Sequence, residues 1–190
     1  MIINTGMRTD IPAFYSEWFM NRIRAGFVLV CNPYRPDWIT RYELNTDVVD
    51  CLAFCTKNPE PMLKHLDELK AYHQYWFVTI TPYGKDVEPN VPPKEKVMQD
   101  FITLSEKVGV NCIGRRYDPI FIDSTYTLER HIADYEQMCR ILSGYTKVCV
   151  IISSAAGFPG SAFRCRYPRP KGSHPEEGSA RPSQARGRWR

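Results

Sequence analysis

Apolar residues alternate along the chain between two rhythms as far as Ile152. Short runs rich in β-branched and aromatic residues end abruptly in polar clusters, and between them lie stretches with apolar residues three and four apart. The runs read as strands and the stretches as amphipathic helices. Residues 1–4 predict a short strand, and residues 5–10 are its polar exit. Asp10 is placed to cap the helix that follows, with Pro12 in its first turn, Tyr15, Trp18, Phe19, Arg22 and Ile23 on one face, and Gly26 at its end. Residues 27–31 predict a second core strand that closes on Asn32-Pro33. Residues 38–44 alternate as one strand of a small hairpin, with its partner left open.

The same rhythm continues. Residues 48–55 predict a third core strand with Thr56-Lys57-Asn58 as its exit. Asn58 and Pro59 then start a helix with Met62, Leu63, Leu66 and Leu69 as its stripe. Residues 75–81 form a strand broken by Pro82 and Gly84. Val97, Phe101, Leu104 and Val108 mark a helix stopped by Gly109, and Leu128, Ile132, Tyr135, Cys139 and Leu142 mark another, begun by Thr127 and stopped by Gly144. Residues 147–152 predict the last strand. Between these two helices, residues 110–122 organise the whole. There the apolar run Val110, Cys112, Ile113 ends at Gly114 and gives way to Arg115, Arg116, Tyr117 and Asp118.

Alternating strands and amphipathic helices, with strands apolar on both faces, argue for an α/β protein with a parallel sheet and right-handed crossovers. Polar exits after nearly every strand, and no glycine-rich phosphate loop after the first, favour a partial, TIM-like (β/α) barrel of about six parallel strands over a doubly wound sheet. Six strands cannot close an eight-stranded barrel, so two open edges and self-association through them are expected.

Composition changes this picture at one point. Seven Arg and one Lys against two Glu give residues 153–190 a charge of +6, so of the chain's +4 the first 152 residues carry −2. This tail of Arg, Pro, Gly and Ser contains no Val, Ile, Leu or Met, and it is expected to be disordered. The sequence therefore divides into an α/β domain over 1–152 and a basic tail over 153–190. An abrupt switch directly after a strand is what a shifted reading frame produces. That reading is taken ahead of a nucleic-acid-binding arm, so nucleic acid is not an expected partner. Without an apolar leader behind a basic start, or a run of 18 apolar residues, the chain reads as cytoplasmic, with no membrane partner. The seven cysteines suit reduced, buried thiols better than a disulfide framework.

Several motifs in order, Arg8-Thr9-Asp10-Ile11-Pro12-Ala13 with Tyr15-Ser16-Glu17-Trp18-Phe19, Asn32-Pro33-Tyr34, Thr56-Lys57-Asn58-Pro59, Thr79-Ile80-Thr81-Pro82-Tyr83-Gly84 and Arg116-Tyr117-Asp118-Pro119-Ile120-Phe121, resemble a bacterial family known as domain of unknown function 1848 (DUF1848). The resemblance covers residues 1 to about 152. It implies a relative of radical S-adenosylmethionine enzymes, with a barrel-like body and a C-terminal cysteine cluster similar to an iron–sulfur site. The chain departs from that pattern. The cluster is missing, Cys165 stands alone, Arg115 occupies a place where an aromatic residue is expected, and Cys31 one where arginine is expected. A [4Fe-4S] cluster and S-adenosylmethionine are thus implied for full-length relatives, and no cofactor or metal for this chain.

The candidate site follows from the strand exits. Arg8, Asp10, Asn32, Lys57, Asn58, Arg116 and Asp118 would gather at the C-terminal mouth of a barrel, with Thr79 and Thr81 lining the interior. Lys and Arg there hold an anionic substrate, and Asp orients a base or hydroxyl. The plainer reading makes Asp10 and Asn58 helix caps and Arg116 with Asp118 a structural pair. Cys51 and Cys55 share a strand, which sets their Cα atoms roughly 13 Å apart, too far to share a cluster. His131, one turn from Asp134 and Tyr135, reads as a helix-surface contact, and catalytic residues are left unassigned. The sequence thus reads as a truncated member of that family, lacking the cluster and its activity. The alternative is a cluster-free barrel enzyme or binding module for a small anionic ligand.

Overall fold

The computed structural model describes residues 1–151; Ile152, expected to end the last strand, and the whole basic tail lie outside the described residues. Five parallel strands form one sheet in the order β1 (Ile2–Asn4), β4 (Cys51–Thr56), β5 (Gln74–Thr79), β6 (Ile113–Tyr117), β7 (Val148–Ile151). Apart from a hairpin within residues 27–43, each strand neighbours the next in sequence, and no reversal point divides the sheet among the described residues. The sheet is open among the described residues, so a closed barrel is not formed by them.

Among the described residues, the expected parallel strands, about six, come to five. Residues 27–31 do lie in a strand, β2 (Phe27–Asn32), but it pairs antiparallel with β3 (Arg35–Glu43) in a separate two-stranded sheet. Only Pro33 and Tyr34 join them, and so short a loop permits a hairpin but no parallel crossover. The Asn32 carboxamide accepts the backbone N–H groups of Tyr34 (2.8 Å) and Arg35 (3.2 Å) and holds the turn.

The helices cover one face of the parallel sheet. Asp10 caps α1 (Ile11–Phe14) by accepting the Ala13 N–H, and α2 (Ser16–Ala25) ends at Gly26, whose φ of 76° is left-handed. Phe19 and Met20 of α2, Val97, Met98, Phe101 and Leu104 of α4 (Lys94–Val108), and Met138 of α5 (Leu128–Ile141) enter one apolar cluster with Leu52, Phe54, Trp76, Val78 and Ile113 of the strands. Phe54 and Trp76 stack at 4.1 Å in its middle. Burying residues of this size contributes on the order of 1.5–3 kcal/mol each.

Three local expectations change. The stretch after Asn58 is a helix only over α3 (Glu60–Leu63). Beyond it, N–H groups of His65, Glu68, Leu69 and Tyr72 reach carbonyls three residues back, a 3₁₀-like winding that still buries Met62, Leu66 and Leu69. In α5, Leu128 and Ile132 of the expected stripe are exposed, and His131 is buried instead. Third, β6 does not end at Gly114 but runs through Arg115, Arg116 and Tyr117. No described helix is long and apolar enough to cross a membrane.

Candidate functional site

Parallel strands put all their carboxyl ends on one edge, so residues leaving β1, β4, β5 and β6 share a rim. Strand register places Thr79 beside Arg116 and Thr56 beside Val78. Two polar clusters occupy this rim.

Arg116 builds the first. Its side chain lies on the face of the sheet opposite the helices, crosses β5, and donates Nη1–H to the Cys55 sulfur on β4 at 2.9 Å. Nη2 donates to the Asp118 carboxylate at 2.5 Å. Burial works against the Arg116 cation, but the Cys55 sulfur and the Asp118 carboxylate more than offset it and raise its pKa.

Asp10 and Lys57 build the second. One Asp10 oxygen caps α1, and the other accepts the Lys57 backbone N–H at 2.8 Å, tying the first helix to the exit of β4. The Lys57 ammonium pairs with Glu88, whose other oxygen accepts the Thr81 hydroxyl at 2.7 Å. Glu88 comes from the long loop after β5, where the Gly84 carbonyl accepts its N–H at 2.8 Å and turns it back over the rim. Nothing local marks Glu88 in the sequence, since its partner is 31 residues away.

Thr79 lies among these groups, 7% exposed and with no hydrogen bond from its hydroxyl among the described residues. Together with Thr81, Glu88 and Lys94 it lines a pocket of about 280 Å³ beside the first turn of α4. Lys94 is held by Asp134 at 3.2 Å.

The remaining expected residues go elsewhere. The Arg8 guanidinium donates to the Cys31 carbonyl at 2.9 Å, which turns it to the hairpin, and Asn32 is occupied in the hairpin turn. Asn58 accepts the Glu60 N–H at 3.3 Å and donates its own N–H to Thr56 Oγ1, so it acts as a turn residue. The rim thus unites Asp10, Lys57, Thr79, Thr81, Arg116 and Asp118, adds Glu88, and leaves out Arg8, Asn32 and the Asn58 side chain.

Beside the rim stands an aromatic group that spacing did not reveal. Tyr83 stacks on Phe121 at 4.4 Å and meets Tyr126 edge-on, while its hydroxyl donates to the Pro119 carbonyl and accepts the Phe121 N–H. His131, expected on the helix surface, is buried beneath them. Its Nε2 faces the Phe121 carbonyl at 2.9 Å and its Nδ1 the Tyr117 hydroxyl at 2.9 Å. A carbonyl only accepts, so Nε2 carries a proton, and in the neutral ring Nδ1 accepts from Tyr117. Burial pushes the Tyr117 phenol well above its ordinary value.

Arg115 is not a rim residue. It points into the helix-covered core at 2% exposure, donates to the Cys149 sulfur from Nε and Nη2 at 3.3 Å each and to the Cys139 sulfur at 3.4 Å, and lies 4.4 Å over the Tyr135 ring. Its Nη1 is buried without a partner among the described residues.

An iron–sulfur cluster needs three or four converging thiolates. Cys55 serves Arg116, and Cys139 and Cys149 serve Arg115. No group of three or more His, Cys, Asp or Glu among the described residues can hold a metal ion, so these residues do not fit such a cluster.

Comparison with curated proteins and with solved structures gave no match. The family model described as "Domain of unknown function (DUF1848)" matches residues 2–165, beginning in β1 and extending past Ile152. With its match spanning most of the chain, including every strand and rim residue described above, this protein belongs to the DUF1848 family.

Proposed function

We propose that the rim is the binding end of a barrel-type enzyme site for a small anionic molecule, and that the chain does this without assembling an iron–sulfur cluster of its own. The observation that carries the reading is the meeting of Lys57, Arg116 and the unpartnered Thr79 hydroxyl at the ends of three adjacent strands. Each cation is already held by a carboxylate, Lys57 by Glu88 and Arg116 by Asp118, so each of these pairs is neutral. Donors nevertheless remain. An ammonium has three N–H groups and a guanidinium five, of which the Glu88, Asp118 and Cys55 contacts use one and two. The spare donors suit an oxyanion, and the fixed carboxylates hold the donors in place before it arrives.

The strand order without a reversal supports a barrel-type ancestry. A kinship of the family with radical S-adenosylmethionine enzymes belongs to the same proposal, in which relatives would supply cluster thiols that the described residues lack. A further part is self-association through β1 and β7, the two edges of the described sheet. Light scattering on the purified chain checks it, with a dimer or larger species expected.

Thermal shift against sulfate, phosphate and small dicarboxylates tests the site. Stabilisation by at least one of these anions, lost in the Lys57→Ala/Arg116→Ala double variant, is expected; an unchanged shift in that variant removes the reading. Anaerobic reconstitution with iron and sulfide tests the second half. A broad absorbance band near about 400 nm with stoichiometric iron would overturn the absence of a cluster.

A further inference from the structure

A second concavity lies apart from the paired cations of the rim. It runs between the outer edge of β1 and the β2–β3 hairpin and has a volume of about 530 Å³, within the span of roughly 300–1,000 Å³ common for small-molecule sites. Its floor is apolar, built from Ile3, Ile11, Phe19, Val28, Val30 and Leu44, and Trp18 and Tyr42 stand partly exposed at its lip.

Two charged side chains line it, Arg8 and Arg22, and no acidic one does. The amino terminus, which also borders it, is neutralised by Asp50 at 2.7 Å. Neither arginine makes an ion pair among the described residues. Arg8 spends one N–H on the Cys31 carbonyl. Arg22 makes no side-chain hydrogen bond there, and its Nε is sealed from water without a partner. The arginines sealed or half-sealed in the sheet, Arg115 and Arg116, have found sulfurs, a carboxylate and an aromatic face. The two in the groove have not.

A guanidinium left unpaired beside apolar surface is a loss that an oxyanion recovers, because its planar fork matches carboxylate and phosphate geometry. The apolar floor favours an apolar body behind that head. A fully polar anion would leave the floor wet, and a neutral apolar molecule would leave both cations unpaired.

We infer that this groove is a binding site for a small amphipathic anion, an acyl or aryl molecule with a carboxylate or phosphate head, in which Arg22 and Arg8 take the head and the β1–hairpin floor takes the body. The hairpin then serves as the second wall of a ligand site that the five-stranded sheet cannot form alone. Trp18 at the lip reports occupancy through its indole.

The experiment is calorimetric titration of the full chain with octanoate, octyl phosphate, octan-1-ol and octylammonium at low salt. Saturable one-to-one binding of at least one of the two anions is expected, about tenfold or more tighter than the alcohol, and the tighter anion identifies the head. Arg22→Met and Arg8→Met should each weaken that anion by about tenfold, with Arg22→Lys losing less. Because Arg22 makes no side-chain hydrogen bond, Arg22→Met should fold, which circular dichroism checks. If a variant does not fold, the comparison of octanoate with octan-1-ol on the unaltered chain decides. Equal affinity for anion and alcohol, no saturable binding of either anion, or an anion affinity unchanged in both methionine variants would overturn the assignment. Since the rim test reads Lys57 and Arg116 and this one Arg8 and Arg22, the two can fail independently.

Discussion

The two faces of the parallel sheet are made by the same strands and have different fates. Toward the helices, Leu52, Phe54, Trp76, Val78 and Ile113 are no more than 1% exposed and belong to one continuous core. On the opposite face, their neighbours Cys51, Ala53, Cys55, Tyr75 and Phe77 remain partly exposed, with Tyr75 and Phe77 meeting edge-on at 5.0 Å and Arg116 lying across them toward Cys55. Both sets are apolar enough for burial, as strands of a parallel sheet usually are. The difference teaches that stability and chemistry are divided between the faces. One holds the fold together, and the other carries the polar rim on a surface still open to a ligand or to more protein.

The largest test of this division is a pair of truncations. Trp76→Ala removes a wholly buried ring stacked on Phe54 and should cost about 3–5 kcal/mol. Phe77→Ala, one residue along and on the other face, should cost about 1 kcal/mol, near the centre of the range for point mutations. Urea denaturation followed by circular dichroism measures both, and equal costs would show that the second face is as tightly covered as the first.

A smaller effect sharpens the comparison for polar groups. Tyr117→Phe leaves His131 Nδ1 buried without its donor and should cost about 1–3 kcal/mol. Cys55→Ala removes an acceptor from Arg116, but that guanidinium keeps Asp118 and access to water, so the cost should stay under about 1 kcal/mol. A reversed order in the same assay would place the structural polar network on the open face.

The smallest effect lies at the margin of the helix-covered side, where α2 meets the winding after α3. Lys64 holds the Glu17 carboxyl below its ordinary 4.5, and Arg24, then His65, do the same for Glu68. Lowered carboxyls contribute stability that is complete above the unfolded value and disappears as pH falls through the folded ones. The denaturation midpoint should therefore drop below about pH 4.5, and Glu17→Gln with Glu68→Gln should flatten that part of the profile. An unchanged profile in the double variant would show that these exposed pairs contribute nothing measurable, as many such pairs do.

Much of the fold was legible because its signals are local. A helix cap such as Asp10, a stop such as Gly26, and a stripe such as Val97, Phe101, Leu104 each depend on residues within a turn or two. The alternation of such segments also implied a parallel sheet, and with it the shared edge of Lys57, Thr79 and Arg116. The hairpin was half legible. The strand of residues 38–44 is readable from its alternation, but its partner, residues 27–31, reads as apolar enough for a core strand. A two-residue loop at Pro33-Tyr34 is the signal that decides it.

What stayed hidden depends on partners far away in the chain. Adjacent arginines at 115 and 116 are alike as letters, and only the pleat sends one into the core to Cys149 and the other across the open face to Cys55. His131 turns inward because a phenol on β6 and a carbonyl beyond it meet both ring nitrogens. Glu88 becomes a rim residue because its loop folds back onto Lys57, and Arg8 leaves the rim because the hairpin carbonyl reaches it first. By itself, then, the sequence determined where most helices and strands lie and that several of their polar exits share one edge, since periodicity and caps act over a few residues. The tertiary structure alone decided which charges are paired and which are left open to a ligand, because pairing is settled by strand order and loop closure over tens of residues.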